Sequence, residues 1–319
     1  MTEGLEWGFP VIAYLFLAGL GAGAVTVSAS VLLRGGGGGF GGGHLAVARY
    51  GAFVAPLPIM LGCFLLIFEL GSFQAGHWFK WLNLYRVINL SPMSIGTWLL
   101  TILIGVSVFY AYTFLPRAPF LGDRQERLRK ALAWVCVPLG ISVAVYTGIL
   151  LGAMPARPFW NSPVLALLFL LSSLSTGVAI IMLARTLFHN GRFESESHYQ
   201  QSGYLLSASD VLLIGFELMA IFLFLMFAHL TVGDVKYAVS VIQFGGILAP
   251  MFWIWVVLLG LLAPALIELY YVIQQLLYHR QYRVPRVVEF AAPVAILVGG
   301  FMLRYVVVIA GQITGPVGV

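Results

Sequence analysis

Eight long apolar stretches constrain this sequence more than any other feature. They cover residues 9–33, 48–70, 93–115, 131–153, 163–187, 205–230, 243–277 and 287–312. A membrane hydrocarbon core is about 30 Å thick and needs roughly 20 apolar residues per helix, so each stretch is long enough to cross it. Only 9% of the residues are Asp, Glu, Lys or Arg, which is too few to cover a water-soluble fold. We therefore predict an all-α integral membrane protein with eight transmembrane helices.

The lysines and arginines predict how these spans are oriented. An even number of spans puts both termini on one side of the membrane. Four lysines and arginines fall in the loops on that side, and twelve fall in the loops on the opposite side. Because cytoplasmic loops carry the positive excess, we predict that both termini lie outside. The net charge of +5 is then a topology signal, and no nucleic-acid partner is expected.

The two halves of the sequence resemble each other at an offset of 154 to 159 residues. Equivalent spans are four apart, so the repeats would run in the same direction. We predict two tandem four-helix bundles, residues 1–157 and 158–319, with the first bundle holding the main polar site. The matching segments are Leu20–Gly23 with Leu174–Gly177, Pro92–Met93 with Pro250–Met251, and Tyr146–Gly152 with Tyr305–Gly311.

Four polar residues are predicted at one level of the outer leaflet. At about 1.5 Å per residue, Tyr14 lies roughly 8 Å below the outer surface and Tyr146 and Arg304 lie about 10 Å below it, while Glu69 ends the second span. Polar groups at such depth are costly and are usually functional or paired. The tyrosines also fit an interfacial aromatic belt, and Glu69 and Arg304 also fit a structural ion pair.

A second group of carboxylates is predicted nearer the centre and the inner side. Asp210 and Glu217 are seven residues apart and share one face of span six, and Glu268 lies on span seven. Such groups can form a proton path across the membrane. They can equally pair with Arg185 or bond to neighbouring hydroxyl groups.

The sequence lacks the residues that would hold a haem or an iron–sulfur cluster. A membrane haem needs two facing histidines at membrane depth, and a cluster needs about four cysteines; the chain has only two cysteines. We therefore predict no haem, cluster or metal site on this chain. All six histidines are predicted in loops or at a span end: His44, His77, His189, His198, His229 and His279.

Two predicted outer loops are rich in aromatic residues. The loop from Gly71 to Ser91 includes His77, and the loop that begins at Arg157 continues with Pro158, Phe159 and Trp160. Large amphipathic side chains are typical of protein interfaces and of lipid head groups alike. We interpret this face as a docking surface for a partner subunit.

An ordered series of short motifs runs along the chain and touches both halves of the sequence. Its members are Trp7, Ile12–Leu17, Gly19–Gly23, Ser91–Ser94 with Gly96, Tyr146–Leu151, Pro158–Pro163, Leu168–Leu170, Ser175–Gly177, Met302–Tyr305 and Ala310–Gln312. This series resembles the NrfD/PsrC family, the quinone-handling membrane subunits of nitrite, polysulfide and related reductases.

The resemblance implies a haem-free fold of two bundles in a bacterial or archaeal cytoplasmic membrane. It implies that menaquinone or ubiquinone binds as a diffusible substrate in the outer part of the first bundle. It also implies two kinds of partner: a docked four-cluster ferredoxin-like iron–sulfur subunit, and a molybdopterin or multihaem cytochrome subunit that holds the terminal chemistry.

The resemblance also assigns roles to particular residues. Tyr146 matches the tyrosine that bonds the quinone head group in the polysulfide reductase branch, where Tyr14 and Val11 replace a histidine and an asparagine. Glu69 matches an acidic position near the site, and Arg304 and Gln312 match the C-terminal arginine and Gly-Gln. Candidate catalytic residues are thus Tyr14, Tyr146, Glu69 and Arg304; candidate quinone-binding residues are Tyr14, Tyr146, Glu69, His77, Arg157 and Gln312; candidate proton-path residues are Asp210, Glu217 and Glu268.

The function predicted from these features is electron exchange between quinone and a docked iron–sulfur subunit, with possible proton transfer. A proton- or ion-coupled secondary transporter is an alternative, because repeats and buried carboxylates suit transporters too. A passive membrane anchor is a further alternative, since it would need the docking face and no polar cluster.

Overall fold

The computed structural model describes residues 7–35, 44–69, 82–86, 91–115, 124–188, 196–231, 233–279 and 281–315. Within these ranges all regular secondary structure is helical, which confirms the predicted all-α class. The helices are α1 (Phe9–Arg34), α2 (Leu45–Val54), α3 (Pro56–Glu69), α4 (Asn83–Arg86), α5 (Pro92–Tyr112), α6 (Gln125–Gly152), α7 (Pro163–Phe188), α8 (Glu196–Leu230), α9 (Asp234–Ser240), a π-helix (Met251–Leu262), α10 (Ala263–Tyr278) and α11 (Arg286–Ile313).

In the described ranges, eight helical segments are long and apolar enough to cross a membrane, as predicted. Six of them are single helices: α1, α5, α6, α7, α8 and α11. α2 and α3 together form the span Leu45–Ile67, and the π-helix and α10 together form the span Met251–Tyr278. The chain is a multi-pass membrane protein. We call the side that holds the start of α1 and the end of α11 the terminal side, and the other the opposite side.

The predicted start of the seventh span is wrong. We expected it at residue 243, but residues 241–248 form turns and the π-helix begins at Met251. Gly245 has a φ of 97°, a left-handed conformation that glycine adopts without steric cost. Hydropathy does not distinguish an apolar turn from an apolar helix, and the turn was therefore counted as part of the span.

The sixth span also differs from its predicted start. Its helix, α8, begins at Glu196 rather than at residue 205 and has 35 residues. At 1.5 Å per residue such a helix is about 50 Å long, which exceeds a hydrocarbon core of about 30 Å. The first turns of α8 are polar, so α8 extends beyond the lipid on the opposite side.

α1 is the central helix of the structure. Most of its residues are buried, and it packs along α3, α6 and α7. Its Gly-Ala-Gly segment has no bulky side chains, and small residues allow membrane helices to approach closely. On the far side of α7, α11 packs against α7 and the π-helix.

α1 and α7 cross where the two predicted repeats have equivalent residues. A side chain added at Gly177 would meet the backbone of Gly23, and one added at Gly23 would meet the backbone of Ser173. Gly23 and Gly177 are the last residues of the two matched small-residue segments. This crossing agrees with a duplicated fold and joins the halves over a long interface. The division into bundles at 157/158 stays a prediction.

Candidate functional site

Two buried tyrosines from different helices meet near the terminal side. Tyr14 of α1 is fully buried, and Tyr146 of α6 is almost so. Their phenol groups are close enough to interact, and the Cys63 side chain of α3 lies within range of both. Yet the Tyr14 hydroxyl forms no well-oriented hydrogen bond with any described residue. Buried hydroxyl groups normally have a well-oriented hydrogen-bond partner, so the poorly oriented contact with Tyr146 leaves the Tyr14 hydroxyl able to bond to a ligand.

The position of Tyr146 depends on a glycine of α5. A side chain added at Gly96 would occupy the space of the outer part of the Tyr146 ring. Gly96 is buried about one turn from the start of α5, and the cap residue Ser91 accepts a hydrogen bond from the Ser94 N–H at that start. The absence of a side chain at Gly96 therefore lets the phenol reach the α5 backbone.

Two of the predicted site residues lie wholly or partly outside what the structure describes. Glu69 is the last residue of α3, at the terminal side, and its side chain falls outside the described set. His77 lies outside the described residues altogether. Their predicted roles stay predictions.

Arg304 lies on the other side of α1, among residues of the second half. It is fully buried, and it donates hydrogen bonds to Ser172 Oγ at 2.8 Å, to Ser173 Oγ at 3.1 Å and to the Gly300 carbonyl at 2.8 Å. Its guanidinium carbon stands 5.3 Å from the centre of the Phe169 ring. Among the described side chains, Glu217 is the charged group that interacts with Arg304. Arg304 is therefore part of a different polar cluster from Tyr14 and Tyr146.

Ser172 connects Arg304 to Glu217. The Ser172 side chain interacts with the Glu217 carboxyl group, and its oxygen accepts from Arg304. Glu217 is buried, and its Oε2 has no hydrogen-bond partner among the described residues. Arg304, Ser172 and Glu217 therefore form one buried polar cluster, which places a cation beside the carboxylate that the sequence assigned to a proton path.

Asp210 and Glu268 form a buried pair of carboxyl groups. The two side chains interact at hydrogen-bond range, and Asp210 Oδ1 accepts from Ser175 Oγ at 2.9 Å. Otherwise Asp210 Oδ2 and both Glu268 oxygens have no hydrogen-bond donor within the described residues. Two carboxylates repel each other when both are ionised, so this pair is suited to share a proton.

A polar region links the carboxyl pair to the opposite side. Glu268 lies within electrostatic range of Tyr282, whose hydroxyl lies 2.7 Å from Ser207 Oγ. Tyr282 lines two polar clefts: one of about 330 Å³ with Tyr199 and Glu289, and one of about 410 Å³ with Gln200, Gln201 and Gln275. The Tyr199 hydroxyl donates to Glu289 Oε2 at 3.1 Å. Glu268 is thus within electrostatic range of a residue that lines two polar clefts.

The sequence left open whether Arg185 pairs with Asp210 or Glu217, and among the described residues its recorded contacts are with Tyr199 instead. Its Nη2 donates to the Tyr199 carbonyl at 2.6 Å, and its guanidinium carbon lies 4.0 Å from the centre of the Tyr199 ring. The other alternative was that Asp210 and Glu217 bond to neighbouring hydroxyl groups. The structure contains these contacts: Asp210 with Ser175, and Glu217 with Ser172.

Gln312 and Arg157 bind each other and the start of α1. The Trp7 N–H donates to Gln312 Oε1 at 3.0 Å, and Gln312 Nε2 donates to the Trp7 carbonyl at 3.1 Å. Arg157 Nη1 donates to the Gln312 carbonyl at 2.9 Å. Trp160 stacks on Trp7 with ring centres 5.3 Å apart and donates to the Val307 carbonyl. We call this set of contacts among Trp7, Arg157, Trp160 and Gln312 the clamp. Because the clamp uses the polar groups of Gln312, a bond from Gln312 to a quinone head group would need the clamp to open.

Sequence reasoning assigned no structural role to the residues that connect the predicted site residues. Gly96 supports Tyr146, Ser172 and Ser175 bond to the carboxylates, and Tyr282 lines the clefts. The three serines of the segment Ser172–Ser175 were a usable signal, because several hydroxyl groups at the middle of an apolar span are unusual. Nothing in the sequence singled out Tyr282, which precedes α11 in a short loop.

Comparison with known proteins places this chain in a family. A family model described as polysulphide reductase, NrfD, matches residues 1–316. The chain is 30% identical to protein NrfD of Escherichia coli over 98% of this chain and 96% of that protein. It is also 30% identical to a polysulfide reductase chain from Wolinella succinogenes, over 82% of both proteins. A selenate reductase subunit from Mesobacillus selenatarsenatis is 22% identical over 73% of this chain and 58% of that protein. The eight apolar spans, the ordered motifs and these matches together show that the chain belongs to the NrfD/polysulphide reductase family.

Proposed function

We propose that the chain is the quinone-reactive membrane subunit of a multi-subunit reductase. In this role it exchanges electrons between the quinone pool and a docked iron–sulfur subunit, while a molybdopterin or multihaem subunit acts on the terminal substrate. Family membership supports the proposal, as does the similarity to one component of a polysulfide reductase and one component of a selenate reductase.

The observation that carries the proposal is the pair of buried phenol groups of Tyr14 and Tyr146, in which the Tyr14 hydroxyl has no well-oriented hydrogen bond to a described residue. A quinone carbonyl accepts a hydrogen bond and a quinol hydroxyl group donates one. A phenol can donate to the carbonyl and can accept from the hydroxyl group. An apolar site with a few converging polar groups is the usual form of a small-molecule site. We assign Tyr14 and Tyr146 to binding and orienting the head group, whose own chemistry moves two electrons and two protons.

Glu69 is the proposed proton-exchange group of this site. It lies six residues beyond Cys63 on α3, about 9 Å along the helix axis, and Cys63 is within range of Tyr14. Glu69 is therefore on the same helix as a neighbour of the tyrosines and nearer the terminal surface, where it can exchange protons with water.

Arg304 and the carboxylates form the proposed proton path. The order would be Tyr282, Glu268, Asp210, Ser175, and then Glu217 with Ser172 and Arg304. Asp210 and Glu217 are two turns apart on α8, about 10 Å, so a proton would need a hydroxyl group or a water molecule between them. The polar clefts at Tyr282 support an entrance on the opposite side.

We propose that the terminal side is the outer face of a bacterial or archaeal cytoplasmic membrane. The clamp of Trp7, Arg157, Trp160 and Gln312 fixes aromatic side chains at this face. Such residues are enriched at protein interfaces, and the four-cluster iron–sulfur subunit would dock here, close to the tyrosines. Arg157 and Gln312 would then stabilise the docking face, and His77 would belong to its outer loop.

The test is quinol oxidation by the intact membrane complex carrying Tyr14→Phe or Tyr146→Phe. Each change removes one hydroxyl group and keeps the ring. Loss of one hydrogen bond in the transition state predicts a fall of about tenfold. The matched control is Tyr110→Phe, since Tyr110 is also a buried tyrosine but its hydroxyl lies 3.2 Å from Ser28 Oγ.

The alternatives predict different results in the same preparation. A passive anchor predicts that both tyrosine variants oxidise quinol like the parent complex. A secondary transporter predicts solute movement by the chain alone, without an iron–sulfur partner. Either result would overturn the proposal.

A further inference from the structure

We infer that this chain binds an anionic phospholipid in a groove between its two halves, on the opposite side of the membrane from the tyrosines. The groove is formed by α1, α6, α7 and α8 and has a volume of about 460 Å³. Ligand sites typically have volumes of about 300–1,000 Å³. The inference is independent of the proposed quinone chemistry, because it concerns a different place in the fold.

The groove opens to the lipid because two helices fail to meet. Val137 and Ile141 of α6 form one wall, and Leu213 and Phe216 of α8 form the other. α6 and α8 both pack on α7, with no extensive contact between each other. Phe216 is 51% exposed and Ile141 is 37% exposed. An apolar gap between lipid-facing helices must be filled by something equally apolar, and in a membrane that is an acyl chain.

A positively charged side chain, that of Arg34, lines one end of the groove. Thr26, Ser30 and Arg34 of α1 all line it, and their four-residue spacing places them in one row along the helix. Arg34 is exposed at the end of α1. It forms no ion pair with any described acidic residue, since the ion pair found among these residues is that of Lys130 with Glu126.

The dimensions of the groove fit one leaflet. Along α1, Arg34 lies eight residues after Thr26, a rise of about 12 Å, and along α8, Phe216 lies eleven residues after Leu205, a rise of about 16 Å. Half of a hydrocarbon core is about 15 Å. An acyl chain in the groove therefore brings its head group to the level of Arg34.

The charge at this end selects among lipids. A guanidinium group forms bidentate hydrogen bonds with a phosphate, and these are stronger than bonds between neutral groups. A zwitterionic lipid has an ammonium group that repels Arg34, whereas phosphatidylglycerol has none. The occupant that fits both the apolar groove and its cation is an anionic phospholipid such as phosphatidylglycerol.

The experiment measures phospholipid bound to the purified complex by native mass spectrometry, after detergent exchange and addition of phosphatidylglycerol or phosphatidylcholine. We expect a bound phosphatidylglycerol that phosphatidylcholine does not replace. Arg34→Gln should weaken its binding about tenfold, the factor expected for one lost charge-assisted hydrogen bond. Ser209→Phe, which fills the groove from α8, should abolish it.

Matched controls separate these effects from general damage. Arg127→Gln removes an exposed arginine on the same side of the membrane but outside the groove, and Met219→Phe enlarges an exposed residue of α8 that does not line it. Both should bind phosphatidylglycerol like the parent. Should Ser209→Phe fail to assemble, Arg34→Gln with the thermal stabilisation produced by added phosphatidylglycerol still decides the question.

Three results would overturn the inference. One is equal phosphatidylglycerol binding by Arg34→Gln and the parent complex. Another is loss of bound quinone, rather than phospholipid, from Ser209→Phe. The last is crosslinking of the Leu212→Cys variant to another subunit through its new thiol, which would show that a protein helix covers the groove. Quinol oxidation, measured in parallel, tests the proposed function separately.

Discussion

The ring of Tyr146 lies in the space that a side chain at Gly96 would occupy. This contact makes α5 part of the tyrosine site, although no polar group of α5 has been assigned to it. The geometry also gives a way to move Tyr146 without changing its chemistry.

Gly96→Ala should displace the Tyr146 ring, because a Cβ atom at position 96 overlaps it. We expect quinol oxidation by the complex to fall about as far as in Tyr146→Phe, roughly tenfold. Gly105→Ala is the control, since it lies on the same helix and a Cβ atom there meets nothing within 4 Å. Full activity of Gly96→Ala would show that Tyr146 is not positioned by this contact.

Gly177→Ala should destabilise the packing of the two halves. A Cβ atom at Gly177 overlaps the Gly23 backbone, which cannot give way as a flexible side chain can. Overpacking of this kind typically costs about 1–3 kcal/mol, and the thermal unfolding midpoint of the purified protein should fall accordingly. Gly215→Ala of α8 faces open space and should leave the midpoint equal or slightly higher. Equal midpoints for both variants would contradict the close crossing.

Arg304 and Glu217 should show strong energetic coupling. Arg304→Met leaves the Ser172 and Ser173 hydroxyl groups without their buried donor and the Glu217 carboxyl group without its neighbouring cation. Removal of one partner from a buried polar cluster typically costs about 3–5 kcal/mol. The double variant with Glu217→Gln should lose less stability than the two single losses added together. A double-variant cycle of thermal midpoints measures this coupling, and strict additivity would mean that the two groups do not interact.

Asp210 and Glu268 should share a proton. Infrared spectra of the purified protein should contain a protonated carboxyl band that shifts in D₂O and weakens in Glu268→Gln. Glu126→Gln is the control, because Glu126 is exposed and pairs with Lys130 at 2.8 Å. A band that is the same in Glu268→Gln and in the parent would argue against a shared proton.

Tyr282 should make the protein lose stability as the pH rises into the alkaline range. Burial raises the pKa of this tyrosine, which lies in the loop between α10 and α11. The unfolded chain then loses the phenol proton near pH 10, before the folded protein does, so stability is retained below that pH and lost as the pH rises above it. Tyr282→Phe removes this loss, and its thermal midpoint should fall less than that of the parent between pH 9 and 11. Parallel curves for the two proteins would contradict the prediction.

The spans could be predicted from the sequence because apolar length is a one-dimensional property. Five of the eight stretches, such as 9–33 for α1, agree with a helix to within a few residues at both ends. A sixth, 131–153, agrees at its end only, because α6 has a polar extension that begins at Gln125. The turn before Met251 was missed because its residues are also apolar. Helix ends outside the lipid are set by polar side chains that hydropathy does not read.

The depth of each polar residue could also be estimated, but its direction around the helix could not. Tyr14 and Arg304 were placed at one level, yet α1 separates Arg304 from the tyrosines. The contact of Arg304 with Ser172 and that of Asp210 with Glu268 depend on how α7, α8, α10 and α11 are rotated. That rotation follows from packing across the whole fold, which a single sequence does not display.

The paired hydrogen bonds between Trp7 and Gln312 close the chain into a non-covalent ring, because these residues are 305 positions apart. Chain order is therefore not what keeps α1 beside α11. A short peptide link between the two ends, with a new opening between α6 and α7, would give a circular permutant in which the two predicted repeats exchange places. Every helix contact described above would be available to that permutant, so the fold should be indifferent to which repeat is synthesised first.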